Sequence, residues 1–185
     1  MGTIVVIILS LLYWFNNNRN NKSSQATPYT PLTNNVTNTT TFFNSDGSIY
    51  LELPNTYGLQ QYASKNDYLI ELRSNIDLNI FISSKNKIEG KSLKDIVYAD
   101  KLSFVENFQT VSNISEIKEL IINGNNACTY SFHYLDENLN TTFYIQVSWL
   151  EINNNYYVFD IEFPLNDLNN YINIITDVLN NFYQT

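Results

Sequence analysis

The sequence has few of the residues on which catalytic and metal sites most often depend. It contains one cysteine, one histidine and five glycines among 185 residues. A single cysteine excludes an intrachain disulfide and any metal site built from several thiolates. No Gly-rich phosphate loop, GxSxG, HExxH or EF-hand pattern occurs. We therefore expect a non-enzymatic protein with no catalytic residues, no cofactor-binding residues, no metal ligands and no cofactor.

Positive charge is also scarce, since 10 basic residues stand against 18 acidic ones. Every acidic residue lies at or after Asp46, so the segment from Phe43 onward has eight basic residues and a net charge of −10. Nucleic-acid binding needs clustered lysines and arginines, which excludes that class of partner, and an anionic lipid surface would repel such a domain. The acidity favours solubility and affinity for cations or basic partners.

A nearly unbroken apolar run, TIVVIILSLLYWF, extends from Thr3 to Phe15. Thirteen helical residues span about 20 Å, against a hydrocarbon core of roughly 30 Å, a length typical of a signal-peptide core. However, no basic residue precedes the run, no small-x-small cleavage site follows closely, and three aromatic residues close it like an interfacial belt. The pattern favours an uncleaved anchor helix over residues 1–15, transmembrane or signal-anchor. A cleaved signal peptide and a buried helix are the alternatives.

Residues 16–42 are rich in Asn, Thr and Ser and include Pro28 and Pro31, in a chain that contains thirty asparagines. This composition predicts a flexible linker. Arg19 and Lys22 follow the apolar run, and the positive-inside rule alone would place the domain in the cytoplasm. We nevertheless expect a single-pass protein of the cell membrane whose domain faces outside, because a short N-terminal anchor followed by a polar linker is typical of a surface-tethered module.

Residues 43–185 carry the patterns of an α+β domain. Asp46-Gly47 is a turn signal, and Asn123-Gly124 is a stronger one. Ser92 begins a predicted helix and resembles a capping box with Asp95. The predicted strands cover residues 48–53, 68–73, 77–83, 114–122, 127–135, 142–151 and 156–163, and the last three form an antiparallel meander.

A second helix is predicted after Pro164, because apolar residues then recur on one helical stripe. Together these elements predict an antiparallel sheet of six or seven strands, with one helix inserted midway and another at the end. The stripe comprises Leu165, Leu168, Tyr171, Ile172, Ile175, Val178, Leu179 and Phe182.

Two residues with reactive side chains lie on the strand predicted over 127–135. Cys128 and His133 are five residues apart, so they point to opposite faces and do not form a dyad within this strand. We expect Cys128 to be a small buried residue. His133, with Asp136 and Glu137 in the adjoining loop, allows a weak metal or pH-sensitive site. The favoured interpretation is a half-exposed histidine hydrogen-bonded to a neighbour.

Three carboxylates share a predicted sheet face. Asp160 and Glu162 lie on one face of the last strand, and Glu151 lies on the strand before it. Paired carboxylates serve acid–base chemistry when burial separates their pKa values. Here they alternate with large apolar residues, which is the pattern of a solvated face, so catalysis and cation binding are the less favoured alternatives.

The order of elements from about Phe43 to Phe182 resembles the PsbP-like family. The resemblance rests on the opening strand GSIYLELP (residues 47–54), on Ser92-Leu93 at the start of the inserted helix, on IINGNNA (residues 121–127) and on Tyr156-Tyr157-Val158. The family is named for an extrinsic subunit of photosystem II, and its fold is shared with a Ran-binding nuclear-import factor. The resemblance implies an antiparallel sheet sandwiched between helices and implies no activity.

These patterns together predict a membrane-tethered, non-enzymatic, extracytoplasmic module for protein interaction or assembly. Its partner is expected to be an unidentified protein at the membrane surface. The alternative is a sensor module that binds a small ligand or a metal in a pocket between sheet and helix.

Overall fold

Antiparallel strands dominate the part of the chain that the computed structural model describes, which is residues 38–63, 68–75, 77–107 and 110–185 with the backbone of residues 28–29. Two α-helices accompany them, α1 (Leu93–Asn107) and α2 (Leu168–Asn180). The strands are β1 (Pro28–Tyr29), β2 (Thr39–Phe43), β3 (Ile49–Pro54), β4 (Gln60–Tyr62), β5 (Tyr68–Arg73), β6 (Asn79–Asn86), β7 (Val111–Ser112), β8 (Lys118–Ile122), β9 (Asn125–Asp136), β10 (Thr141–Ile152), β11 (Asn155–Pro164) and β12 (Phe182–Gln184).

The described strands form two sheets. The main sheet has nine strands in the order β1-β4-β5-β6-β11-β10-β9, with β7 and β8 both paired to the outer edge of β9. The second sheet has the order β12-β3-β2. All seven predicted strands are present, but the prediction of one sheet with six or seven strands is wrong in number. The additional strands have two to five residues, too short for a clear alternation, and the predicted opening strand β3 belongs to the second sheet.

The predicted meander of β9, β10 and β11 is confirmed. Strands β10 and β11 pair over ten residues from Phe143↔Pro164 to Ile152↔Asn155. The connecting turns place Asn140 and Asn153 at φ values of +48° and +54°, a backbone region that asparagine enters more readily than most residues. The Asn123-Gly124 signal also holds, since both residues have positive φ in the β8–β9 hairpin.

A helix covers each face of the main sheet, as the α+β sandwich predicts. Alternation along β11 sends Tyr157, Phe159, Ile161 and Phe163 toward α2 and the second sheet. Residues of the opposite parity face the other side, where α1 lies. Helix α1 begins as expected, because the Ser92 Oγ accepts the Asp95 backbone N–H at 3.1 Å. Its predicted apolar residue Phe108 lies outside the described residues.

The stripe predicted for α2 is partly wrong. Ile174, which the stripe omits, is 0% exposed, whereas Ile172, which it includes, is 40% exposed. The helix ends at Asn180, and Phe182 begins β12, whose pairing with β3 buries it. The sequence pattern attributes the burial of Phe182 to one more turn of α2. In the structure its burial comes from the pairing of β12 with β3.

The range predicted as linker, residues 16–42, contains β1 and all but the last residue of β2. β1 pairs with β4, and β2 pairs with β3 while its Phe42 side chain enters the core. The predicted anchor over residues 1–15 lies outside the described residues. Within the described part of the chain, none of the helices has both the length and the apolar character needed to cross a membrane.

Candidate functional site

Polar side chains lie in register on the face of the main sheet that α1 covers in part. Tyr130 on β9, Val147 on β10 and Asp160 on β11 form one cross-strand row. Asp100 of α1 reaches this row, since the Tyr130 hydroxyl donates a hydrogen bond to Asp100 Oδ2 at 2.9 Å. The row therefore brings together a carboxyl group from the helix and one from the sheet.

Lysine and tryptophan complete this arrangement, which we name the acidic cluster: Asp100, Asp160 and Glu162 with Lys85, Tyr130 and Trp149. The Lys85 ammonium on β6 lies 4.5 Å from the centre of the Trp149 ring, in a cation–π contact. The buried Trp149 Nε1 has no partner that meets hydrogen-bond geometry among the described residues. Its N–H still favours the Asp100 carboxylate electrostatically and lowers the pKa of Asp100.

The surroundings of the two aspartates favour their neutral forms. Burial raises the pKa of Asp160 to about 7, and the charges of Asp100 and Glu162 act in the same direction against Lys85. Burial likewise raises the pKa of Asp100 above its ordinary value, while Lys85, Tyr130 and Trp149 oppose the shift. Asp160 and Asp100 are thus two carboxyl groups that face a single ammonium.

The prediction of a solvated face for Asp160, Glu162 and Glu151 is wrong, because all three residues are buried or half-buried. Glu162 is 8% exposed and accepts a hydrogen bond from Asn79 Nδ2 at 2.8 Å, and Asp160 is half-buried. Glu151 shares their sheet face but forms an ion pair with Lys87 near the end of the strand. The alternation of polar and apolar residues along the strands identifies which face is polar. It does not show that this face is covered, because the covering helix α1 is distant in sequence.

The predicted positions of the cysteine and the histidine are confirmed. Cys128 is buried on the α1 side, and burial raises the pKa of its thiol, which disfavours the reactive thiolate. His133 lies on the opposite side, half-buried, with its Nδ1 2.9 Å from Asn113 Nδ2. The Asp136 Oδ1 accepts the backbone N–H groups of Asn138 and Leu139, so this carboxylate stabilises the hairpin turn.

A carboxyl group whose pKa lies near 7, as that of Asp160 does, can hold or release a proton near neutral pH. In the ranges that the structure describes, no group of three or more His, Cys, Asp or Glu side chains is placed to hold a metal ion. Sequence reasoning missed Asp100, although a signal was present. Asp100 lies three residues after Val97 and four before Phe104, so it falls on the apolar stripe of its helix.

A polar network occupies the opposite face of β9 and β10. The Thr129 hydroxyl donates to the Val147 carbonyl at 3.0 Å and contacts the Ser148 hydroxyl. Gln146 donates to the Thr129 hydroxyl and accepts from the Tyr144 hydroxyl at 2.8 Å. These groups pair with one another, which is the arrangement of a structural network.

Four exposed apolar side chains, which we name the apolar flank, lie on the side of the main sheet that carries α1. It consists of Tyr98, Leu102 and Val105 on α1 and Ile121 on β8, which are 56%, 40%, 42% and 69% exposed. The three α1 residues follow i, i+4, i+7 spacing and therefore share one side of the helix. Lys94, one turn earlier on that side, forms an ion pair with Glu119 of β8 at 2.5 Å, so the flank extends from the helix toward the edge strand.

Comparisons with known proteins identify the fold. No protein-family model matches the chain. No curated protein matches it significantly. Among solved structures, the cyanobacterial PsbP protein (CyanoP) of Synechocystis sp. PCC 6803 is similar with a TM-score of 0.61 and 12% identity, over 81% of this chain and 94% of that one. The PsbP-like fold is therefore confirmed.

Two further solved structures are similar. A protein from Bacteroides thetaiotaomicron VPI-5482 gives a TM-score of 0.55 at 8% identity, over 80% of this chain and 49% of that one, so this chain spans about half its length. A point mutant of the protein Mog1 gives a TM-score of 0.48 at 13% identity, over 80% of this chain and 96% of that one. At these identities the likeness concerns the fold alone.

Proposed function

We propose that this chain is a non-enzymatic interaction module, held at the outer face of the cell membrane by residues 1–15, which binds a protein partner through the apolar flank. The observation that carries the proposal is the flank itself. Three exposed apolar side chains with i, i+4, i+7 spacing on one side of α1 form a stripe that an apolar partner surface can cover. Tyr98 adds an aromatic ring, a residue type enriched at protein interfaces.

The engagement of the reactive side chains supports an interaction role over an enzymatic one. Glu162 accepts from Asn79, Asp100 accepts from Tyr130, and His133 lies against Asn113 on the other side of the sheet. A general base needs a substrate proton within hydrogen-bond reach, and a nucleophile needs an adjacent base. Each of these three side chains is held by a hydrogen-bonding partner from another part of the domain.

The tether adds affinity without adding contacts. An anchored domain searches a small volume near the membrane, so its effective concentration toward a membrane-bound partner rises well above its average concentration in the compartment. A partner bound through a few apolar side chains is then retained although each contact is weak. This is why we combine the anchor with the apolar flank in one proposal.

The topology is tested by fractionating cells that express the full chain and applying protease from outside. We expect the protein in the membrane fraction and its domain digested in intact cells. A membrane-bound domain that is protected from protease would place it in the cytoplasm, as Arg19 and Lys22 suggest. The anchor would then stand and the outward orientation would be wrong.

The binding surface is tested with photo-crosslinking residues placed at Leu102 and, separately, at Ile121 in the full chain. We expect both positions to give the same partner adduct in membranes. Ile172 on α2 is as exposed as Leu102 and serves as the matched control, which should give no such adduct. Equal labelling from all three positions would refute the flank as the binding surface.

A matched pair of substitutions gives the corresponding functional prediction. Leu102→Ser should weaken partner capture at least tenfold, about 1.4 kcal/mol, because it removes an exposed apolar contact. The free energy of unfolding should change by no more than about 0.5 kcal/mol, since the side chain is exposed in the free domain. Ile172→Ser, with a similar loss of apolar surface on α2, should leave capture unchanged in the same pull-down.

A further inference from the structure

Strand β8 forms an open edge of the main sheet. It pairs with β9 and with no other strand in the described part of the chain. Its residues from Lys118 to Ile121 are all exposed, and two of them are apolar, with Leu120 42% and Ile121 69% exposed. Adjacent strand residues point to opposite faces, so β8 has an exposed apolar side chain on each face of the sheet. An edge strand of this kind can accept a further strand.

The β8–β9 hairpin determines which backbone groups of β8 point outward. Both residues of its turn, Asn123-Gly124, have positive φ, which makes a two-residue turn of type I′. The residue pair that closes such a turn exchanges backbone hydrogen bonds, and hydrogen-bonded pairs then recur at every second residue of the ladder. Ile122 and Leu120 therefore bond to β9. The N–H and C=O groups of Glu119 and Ile121 point away from β9.

These outward groups make β8 complementary to a second copy of itself. Glu119 and Ile121 stand symmetrically about Leu120, the middle residue of the strand. An antiparallel copy related by a two-fold axis through Leu120 places Glu119 of each strand opposite Ile121 of the other, where outward N–H groups meet outward C=O groups. Leu120 then faces Leu120 of the second copy as a non-hydrogen-bonded pair, in which side chains approach most closely.

The charges near β8 do not oppose this pairing. On the α1 face, the Glu119 residues of the two copies are diagonal neighbours, and each is neutralised by Lys94 of its own helix at 2.5 Å. The Lys118 residues lie at opposite ends of the paired strands. The segment of residues 85–118, which leads into β8, holds six basic and five acidic residues, although the domain as a whole is strongly acidic.

We propose that the protein partner of the apolar flank is a second copy of this chain, joined to the first by antiparallel pairing of their β8 strands. This inference rests on the proposed function, because it names the partner that the flank binds. A two-fold axis perpendicular to the sheet keeps both α1 helices on one face. The Lys94–Glu119 ion pair shows that the side of α1 carrying the flank is turned toward β8. The two flanks then face one another across the paired strands.

The membrane anchor supplies what this small contact lacks. β8 has five residues, and a stable interface in solution buries at least about 1,000 Å². Two copies anchored in the same membrane meet at a raised effective concentration, so a contact that is weak in solution is populated there. We therefore expect the pair in membranes and a largely monomeric domain in dilute solution.

Disulfide trapping in membranes from cells that express the full chain tests the proposal. Leu120→Cys should give a dimer under mild oxidation, because the Cα atoms of a non-hydrogen-bonded pair are about 4.5 Å apart, within disulfide range. Leu139→Cys is the matched control, since Leu139 is also 42% exposed but lies between β9 and β10. It should give at least about tenfold less dimer. The native Cys128 is buried and should give none. Equal trapping at the two positions would indicate random collision and overturn the proposal.

A proline substitution tests the backbone pairing itself. Ile121→Pro, in the Leu120→Cys chain, removes an N–H that points away from β9, so the hydrogen bonds of the β8–β9 hairpin remain. Trapping should fall at least about tenfold, because each strand loses a donor to the other. Ile121→Ala keeps the N–H and should reduce trapping less. Unchanged trapping in Ile121→Pro would refute the pairing of the β8 edges.

The photo-crosslinks separate this proposal from the proposed function without relying on the proline variant. A second copy gives an adduct at Ile121 with twice the mass of the chain. Adducts of another mass at both Leu102 and Ile121, with no trapping at residue 120, would leave the apolar flank as a binding surface and overturn the second copy as its partner. Trapping at residue 120 with no adduct at Leu102 would support the β8 pairing and refute the flank as the binding surface.

Discussion

A single side-chain hydrogen bond, from Tyr130 to Asp100, connects the main sheet to α1 within the acidic cluster. The Tyr130 hydroxyl donates to the carboxylate of the half-buried Asp100, and the tyrosine itself is almost fully buried. Removal of the donor leaves the half-buried carboxyl group with one hydrogen bond fewer, and an unsatisfied buried polar group costs more than the net contribution of the bond itself. The cluster is therefore sensitive to the removal of one oxygen atom.

Tyr130→Phe should lower the free energy of unfolding by about 1–3 kcal/mol, because Asp100 loses its donor while the ring packing stays. Tyr50→Phe is the matched control, since Tyr50 stacks on Tyr183 at 4.9 Å through its ring and should tolerate the loss of its hydroxyl. Urea denaturation monitored by fluorescence measures both. Equal, small losses in the two variants would show that the Asp100 contact contributes little.

The sequence predicts the features of the site that depend on local geometry, and it does not predict those that depend on long-range packing. The opposite directions of Cys128 and His133 follow from the period of an extended strand, which is local geometry. Asp100 also carries a local signal, as an acid on an apolar helical stripe. The burial of Asp160 and Glu162 has no local signal, because α1 and β6 are distant from them in sequence. Lys85 and Trp149 join the cluster through the same long-range packing.

The two helices differ at the scale of elements, although both lie on the main sheet. Helix α2 packs between the main sheet and the second sheet and buries residues on consecutive turns. Its Asp177 carboxylate also accepts a hydrogen bond from the Tyr57 hydroxyl at 2.5 Å. Helix α1 has apolar residues both on the face that packs against the main sheet and on its exposed side. We accordingly expect α2 to contribute to stability and α1 to interaction.

Ile174→Ala should cost about 2–5 kcal/mol of unfolding free energy, because a fully buried side chain leaves a cavity in a packed core. Ile172→Ala removes the same atoms from an exposed site two residues away and should cost no more than about 1 kcal/mol. Denaturant midpoints at constant m-value compare the pair. If the two substitutions cost the same, the burial assigned to α2 would be wrong.

Strand length decides which elements can be predicted from sequence. β9, β10 and β11 each have ten or more residues with a clear alternation, and all three match the prediction. β1 and β7 have two residues each, and β4 and β12 have three. Segments this short are strands because they pair with neighbouring strands, and their own sequences carry no strand pattern. β12 in particular exists because Phe182 pairs with Leu51, a long-range contact that no local pattern contains.

Charge is unevenly distributed along the chain. No basic residue occurs from residue 119 to the end, whereas six of the eight that follow Phe43 lie between residues 85 and 118, on β6, α1, β8 and the segments between them. The overall charge therefore describes the domain poorly. Residues 85–118 carry six basic and five acidic residues and are close to neutral, whereas the rest of the domain is acidic. Three of the four residues of the apolar flank lie on α1, within this nearly neutral segment.

Residues 38–42 belong to the folded domain, although the predicted domain boundary excludes them. β2 pairs with β3 from Thr39↔Pro54 to Phe43↔Tyr50, and Phe42 is 2% exposed. A fragment that begins at residue 43, the predicted domain boundary, lacks most of this strand and the Phe42 ring. A fragment of residues 38–185 retains both. The composition of residues 16–42 predicts a linker because this range holds only four residues of β2, among which Phe42 is the one strongly apolar residue, in a long polar segment.

We expect the fragment 43–185 to be less stable than 38–185 by at least about 3 kcal/mol, the usual cost of removing a buried phenylalanine, since the β2–β3 hydrogen bonds are lost as well. Urea unfolding of both fragments measures the difference. Phe42→Ala in 38–185 separates the side chain from the strand, because it removes the ring and leaves the backbone pairing. Identical unfolding of the two fragments would mean that β2 adds nothing to the fold and that the domain begins at residue 43. A difference larger than that of Phe42→Ala would assign the remainder to the edge pairing, and the second sheet would then be a three-stranded unit whose two outer strands come from opposite ends of the domain.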